Sequence, residues 1–201
     1  SSIFDGTCKG SRRKVDQDGI IYYLLSSEVI TSIAVDGANR KWFGTSNNGI
    51  YVQSPGGEIQ IYNFNIANSP LMDNNILDIS IDPKTGQAWI ATAQGLQVFR
   101  SDATQAKDFF TETASVFPNP VAPDYNGPIA IKGLARDARV KITDLSGRLV
   151  YETFANGGQA IWDGKDYLGN KAVSGVYLVF ANATQDFETT EAVVSKIVIS
   201  K

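Results

Sequence analysis

The sequence has no histidine, one cysteine and one methionine. Without an imidazole, Ser-His-Asp and Cys-His nucleophilic arrangements are excluded, and so are histidine metal ligands. Cys8 has no second cysteine to pair with, so it says nothing about redox compartment. Lys9, Arg12 and Arg13 beside it are cations of the kind that lower a thiol pKa, but no base accompanies them. No apolar run approaches the ~20 residues a membrane-spanning helix needs, which excludes a helical membrane segment. Lys and Arg number 18 against 21 Asp and Glu, a net charge of −3 with no basic cluster. That balance argues against nucleic acid as a partner. Ser1 opens the sequence without Met or a signal-like hydrophobic run, and the chain is expected to be the C-terminal part of a longer polypeptide.

What is present is β-rich. The chain has 201 residues, of which 43% are hydrophobic and 10% aromatic, enough for one or two packed β cores. From residue 115 onward, short β-prone runs alternate with turn residues: PIAIKG from Pro128, ARVKITDLSGRLVYETF from Ala138, AIWDGKDYLGN from Ala160, SGVYLVFAN from Ser174 and SKIVIS from Ser195. This is the strand density of an immunoglobulin-like sandwich. Pro118 and Pro120 cannot donate to a ladder and suit the start of an edge strand or a clean break before one. Val140 to Thr143 alternates apolar and polar residues, predicting one buried and one wet face. Leu145-Ser146-Gly147-Arg148 reads as a hairpin turn with Gly147 free to take positive φ. Asp163 and Asp166 flank Lys165 in a loop bounded by glycines. Calcium sites use such oxygens, but Lys165 opposes a cation and the full ligand spacing is missing. Capping of the loop's own backbone is the preferred reading, with no metal ligand assigned.

The ordered set PNP at 118–120, DLSGRLV at 144–150, WDGKDYLGN at 162–170, SGVYLV at 174–179 and the terminal KIVI at 196–199 resembles the type IX secretion sorting domain of Bacteroidota. Trp-Asp-Gly and Gly-Val-Tyr also occur in the immunoglobulin-like domain of flagellar hook-capping proteins, so the fold alone would not fix the function. The C-terminal position and the Lys-Ile-Val-Ile ending favour sorting. The resemblance makes Lys196, Ile197, Val198 and Ile199 the candidate sorting and recognition residues. As a chain-end strand they can offer an edge to a partner strand; the plainer alternative is that they complete the sandwich.

The first hundred residues repeat internally. ITSIAVDGANRKWFGTSNNGIYV from Ile30 aligns with ILDISIDPKTGQAWIATAQGLQV from Ile76, a period of about 46 residues. A period in this range with an internal Trp fits a propeller blade of four short strands. The pattern resembles the two-component-regulator propeller repeat: Asp36-Gly37, Trp42-Phe43-Gly44-Thr45 and Gly49-Ile50 in one copy, Asp82, Trp89-Ile90-Ala91-Thr92 and Gly95-Leu96 in the other. Ala91 departs from the expected glycine. Trp42 and Trp89 read as packing residues between blades, and Asp36 and Asp82 as strand-ending turn residues. Two blades and part of a third do not close a ring.

The expectation is therefore an all-β chain: incomplete β-propeller blades over 1–100, a polar linker over 101–114 that Phe109 and Phe110 pin to one domain, and an immunoglobulin-like β-sandwich over 115–201. No catalytic residue, cofactor or metal is assigned, and no enzyme activity is expected. The resemblance implies a surface location reached by type IX secretion. It also implies one of three roles. The first is a non-catalytic component of the type IX attachment complex, binding other secretion components and anionic lipopolysaccharide. The second is a secreted or surface-anchored propeller cargo that binds glycan or protein and carries a cleavable sorting domain. The third is a secreted propeller enzyme with its active site upstream. A sensor kinase is excluded, since a sorting-like domain stands where a membrane helix and kinase would follow.

Overall fold

The computed structural model describes residues 13–17, 20–107, 110, 113–185 and 189–200. Among them every regular element is a β-strand and every named strand pairing is antiparallel. Strands β1 (Lys14–Gln17) and β2 (Ile20–Tyr23) form a hairpin. Strands β3 (Ile30–Val35), β4 (Lys41–Thr45), β5 (Ile50–Gln53) and β6 (Gln60–Phe64) form a four-stranded meander in chain order. Strands β7 (Ile76–Ile81), β8 (Gln87–Thr92) and β9 (Gly95–Arg100) form a three-stranded meander that repeats its first three strands.

The repeat extends to individual hydrogen bonds. The Thr45 hydroxyl donates to the Gly49 carbonyl at 2.9 Å and accepts the Asn48 amide. The Thr92 hydroxyl does the same with the Gly95 carbonyl at 2.9 Å and the Gln94 amide. Each threonine thus closes the turn between two strands, in the first copy adding a side-chain bond to the Gly49 carbonyl that the Thr45 amide already holds. Gly49 has φ 74°, and a Cβ there would lie 2.1 Å from the Phe64 carbonyl oxygen, so both conformation and space require glycine. The repeat aspartates also act locally. Asp36 accepts the Ala38 amide, while Asp82 accepts the Lys84 amide and the Thr85 hydroxyl.

The two aligned tryptophans have different fates. Trp42 is buried and packs against Phe64 with ring centroids 6.0 Å apart. Gly44, two residues on and so on the same face, has no room for a side chain: a Cβ would lie 2.7 Å from Ile76 Cγ2 at the head of β7. In β8 the buried positions are Ala88, Ile90 and Thr92, and Trp89 is 44% exposed. Of the two tryptophans expected to pack between blades, Trp42 is buried and Trp89 is exposed. The reason is parity: β8 turns its Ala88-Ile90 face inward and leaves the Trp89 face outward.

The remaining strands build a separate core. Strands β10 (Ser115–Phe117), β11 (Ile129–Lys132), β12 (Arg139–Asp144), β13 (Leu149–Phe154), β14 (Gln159–Trp162), β15 (Gly175–Gln185) and β16 (Thr189–Ile199) form two sheets, ordered β10-β11-β14 and β13-β12-β15-β16. One hydrophobic cluster draws on both. Ile129, Ile131 and Trp162 come from the first sheet, and Val140, Ile142, Val179 and Ile197 from the second. Each alternates with outward neighbours, as the period of two demands. Trp162 is fully buried, donates its indole N–H to the Lys165 carbonyl at 2.7 Å, and meets the Tyr177 ring at 5.6 Å. Its large apolar surface is thus buried with its polar atom satisfied.

Backbone contacts divide the chain into two units. One comprises Arg40–Ser80, Trp89–Gln97 and the described residues up to Val35; the other comprises Asp36–Asn39, Ile81–Ala88 and Val98–Lys201. Within the second unit, residues 101–107 are closely held. The Ser101 amide donates to Gly86 O, Gln105 to Pro83 O and Gly158 to Thr104 O. Ala103 and Ala106 are buried, and Phe110 packs against the sandwich core. Phe109 lies outside the described residues.

Candidate recognition surface

The sequence placed recognition on Lys196 to Ile199, and the structure sorts these residues by face. Ile197 is completely buried and Ile199 is 8% exposed, both within the sandwich core. Val198 is half-buried and Lys196 exposed. Among these four residues, Lys196 is the one fully open to a partner's side chain.

Its outer backbone edge is already taken. The Asn119 side chain lies alongside as a one-residue strand: its Nδ2 donates to Lys196 O at 3.0 Å and its Oδ1 accepts the Val198 amide at 2.9 Å. Val121 continues the pairing, with its amide donating to Val198 O at 2.7 Å and its carbonyl accepting the Ser200 amide at 2.9 Å. The Ser200 hydroxyl adds a third bond to Val121 O. Between residues 196 and 200 these backbone groups have partners, so a docking strand must displace residues 119–121 first. The PNP signal was legible, but its role was not: the prolines bracket an asparagine that caps the terminal strand.

A shallow cleft of about 450 Å³ opens beside the Asp144–Leu149 hairpin and the loop after Trp162. Leu168, Val173 and Tyr167 present apolar surface there and are 86%, 75% and 59% exposed. The polar groups around it are engaged in building the turns. Asp163 accepts the Lys165 amide, and Asp166 accepts the Leu168 and Asn170 amides. The Asn170 amide and side chain hold the Asp166 carboxyl below its usual pKa. These bonds fit the capping reading of the loop. Lys171 donates to Pro123 O and Asn126 Oδ1. Tyr177 donates to Val173 O, and burial pushes its phenol pKa up.

Asp144 anchors the hairpin. Its Oδ1 accepts the Ser146 hydroxyl at 2.6 Å and the Ser146 and Arg148 amides, and its Oδ2 accepts Arg148 Nε at 3.0 Å. The Ser146 hydroxyl first, then the Arg148 amide and guanidinium, lower its pKa from 3.8 to about 2. Gly147, with φ 85° and open space around its Cβ position, closes the turn as its place in the sequence predicts. This cleft and its rim offer apolar contact with satisfied polar groups, an arrangement suited to recognition.

No protein-family model matches the sequence, and no curated protein does. Solved structures do. PorZ, an essential bacterial surface component of the type IX secretion system of Porphyromonas gingivalis, is 31% identical across 94% of this chain and 25% of its own, with a TM-score of 0.56. Dimeric latent PorU from the same organism matches at 14% identity over 86% of this chain and 17% of its own, with a TM-score of 0.35. The extracellular domain of BT4673 from B. thetaiotaomicron matches at 11% identity over 99% and 32%, with a TM-score of 0.32. At such low superposition the last two say nothing further about this chain. The similarity to PorZ runs through almost all of this chain, which spans a quarter of the PorZ chain's length.

Proposed function

We propose that this chain is the C-terminal part of a surface component of a type IX secretion system, acting without catalysis by binding other components of the machinery. The observation that carries the reading is its 31% identity to PorZ across 94% of its own length. The five ordered marks of the sorting-domain resemblance add to it. In this reading the two facing sheets of residues 115–201 are an immunoglobulin-like sorting domain kept as a binding module. The meanders β3–β6 and β7–β9 are blades of a propeller, with the exposed Trp89 face turned toward a further blade. Anionic lipopolysaccharide belongs to the same proposal as a second partner, and the cell surface as the location.

The intact mass of the mature parent protein, recovered from the surface of its own cells, tests this. A component of the machinery retains residues 115–201, and affinity purification through it brings down other secretion components. A mass ending within residues 101–114 would make the protein exported cargo and overturn the proposal. A Lys196→Glu substitution sharpens the test, because Lys196 is the exposed residue of the candidate set. Normal export and partner capture in that variant would rule out a charge-read signal at the terminal strand.

A further inference from the structure

The outer face of the sheet β10-β11-β14, opposite the core, carries a second cleft of about 340 Å³. Strand register places Phe117 beside Ala130 and Ala130 beside Ile161 in one row, with Ser115, Lys132 and Gln159 in the next. Because side chains alternate, these two rows share the face that Ile129, Ile131, Ala160 and Trp162 leave. Ala130 makes a low floor between Phe117, which is 66% exposed, and Ile161. Tyr125 walls one side, its hydroxyl fixed to Pro128 O at 2.8 Å. Lys132 and Arg100 stand at the other end.

Among the described residues neither cation has a hydrogen-bond or ion-pair partner. The nearby acid and amide are already engaged: Asp102 accepts Asn156 Nδ2 at 3.0 Å, and Gln159 donates to Ser101 O. Burial first, and the charge of Arg100 second, lower the Lys132 pKa. Arg100 is exposed and Lys132 half-buried, so their repulsion is a modest, salt-screened effect that a bridging anion relieves. Natural ligand sites combine such a volume, an apolar lining and a few convergent polar groups.

We propose that this cleft binds a small organic anion, with Arg100 and Lys132 holding a carboxylate or phosphate and the Phe117-Ala130-Ile161 row holding a flat apolar body. Arginine forks suit either oxyanion, and the lysine supplies a second point charge. The inference stands on the cleft itself and is independent of the secretion reading.

The test is titration of the 201-residue chain with benzoate, phenyl phosphate and inorganic phosphate, followed by amide NMR shifts. Both organic anions are expected to saturate, with the largest shifts at Ala130, Lys132 and Ile161; the tighter of the two assigns the head group. Arg100→Gln and Lys132→Gln each weaken binding about tenfold while leaving Tm unchanged or higher, since each relieves a like-charge pair. Ala130→Leu fills the floor and blocks both organic anions. The proposal is overturned by non-saturating shifts, by binding that survives the charge variants, or by inorganic phosphate binding as tightly as phenyl phosphate. It is equally overturned if the charge variants lower Tm, since the cations would then be structural.

Discussion

Trp162 and Trp89 both sit on β-strands, yet one is fully buried and the other 44% exposed. The difference lies in how their regions bury surface. In residues 115–201 two sheets face each other, so the inner face of each covers the other and a single cluster serves both. In the repeat region the sheets are consecutive meanders, and each buries one face of a central strand: Trp42 and Gly44 in β4, Ala88 and Ile90 in β8. Ile33, Trp89 and Leu96 stay exposed on the other faces. A facing pair of sheets completes its own core; a stack always has two outer faces.

The largest expected effect tests this contrast at the tryptophans. Trp162→Ala removes a fully buried ring and orphans the Lys165 carbonyl, which should destabilise the sandwich by about 3–5 kcal/mol. Trp89→Ala should change stability by roughly 0.5 kcal/mol or less, as exposed sites do. Urea denaturation followed by circular dichroism reads both. Equal losses would mean that the Trp89 face is covered in solution and the contrast is false.

The next effect sharpens the comparison between the two repeat copies. Gly44→Ala drives a methyl against Ile76 Cγ2 and the Ser32 hydroxyl, at 2.7 and 2.5 Å, and should destabilise by about 1–3 kcal/mol. Ala91→Gly, at the aligned position, should lose only about 0.5–1 kcal/mol, through chain entropy. If Gly44→Ala is neutral, the two meanders do not pack at Ile76.

A smaller and more local effect lies at the terminal strand. Asn119→Ala leaves Lys196 O and the Val198 amide without their partner, at a loss of about 1 kcal/mol. Hydrogen exchange at Val198 should accelerate while exchange at Ile197, whose backbone faces β15, does not. Unchanged exchange at Val198 would show that Asn119 does not protect the edge.

Much of this fold was legible because its signals are local. Alternation in Val140 to Thr143, the Gly147 turn and the threonine-to-glycine turns of the repeat all act within a few residues. The sequence also marked residues 196–199 as a strand, but could not divide them between core and surface, since that depends on which face meets Val140 and Trp162. Three features depended on remote partners. The Asn119 cap needs Lys196 and Val198; residues 101–107, read as a linker, are held by Gly86, Pro83 and Gly158; and Arg100 meets Lys132 only after the fold brings them to one cleft. Trp89 illustrates the same limit, because a strand's inward face is fixed by its neighbours and not by its own alternation.

The smallest expected effect separates a local turn from the core around it. Asp144 has a pKa lowered from 3.8 to about 2, so its carboxylate binds its turn more tightly than its protonated form does. That contribution is fully present above pH 3.8 and is lost as the pH falls through about 2. Asp144→Asn removes the carboxylate's charge at every pH. The stability difference between the parent chain and the variant should therefore be constant from neutral pH down to about 4, then shrink toward zero near pH 2. Its bonds to Ser146 and Arg148 are partly exposed, so added salt should reduce the Arg148 share while leaving the backbone share in place. A difference that persists undiminished below pH 2 would mean that the hairpin is held by the Gly147 turn and its β12–β13 ladder, with the carboxylate a bystander.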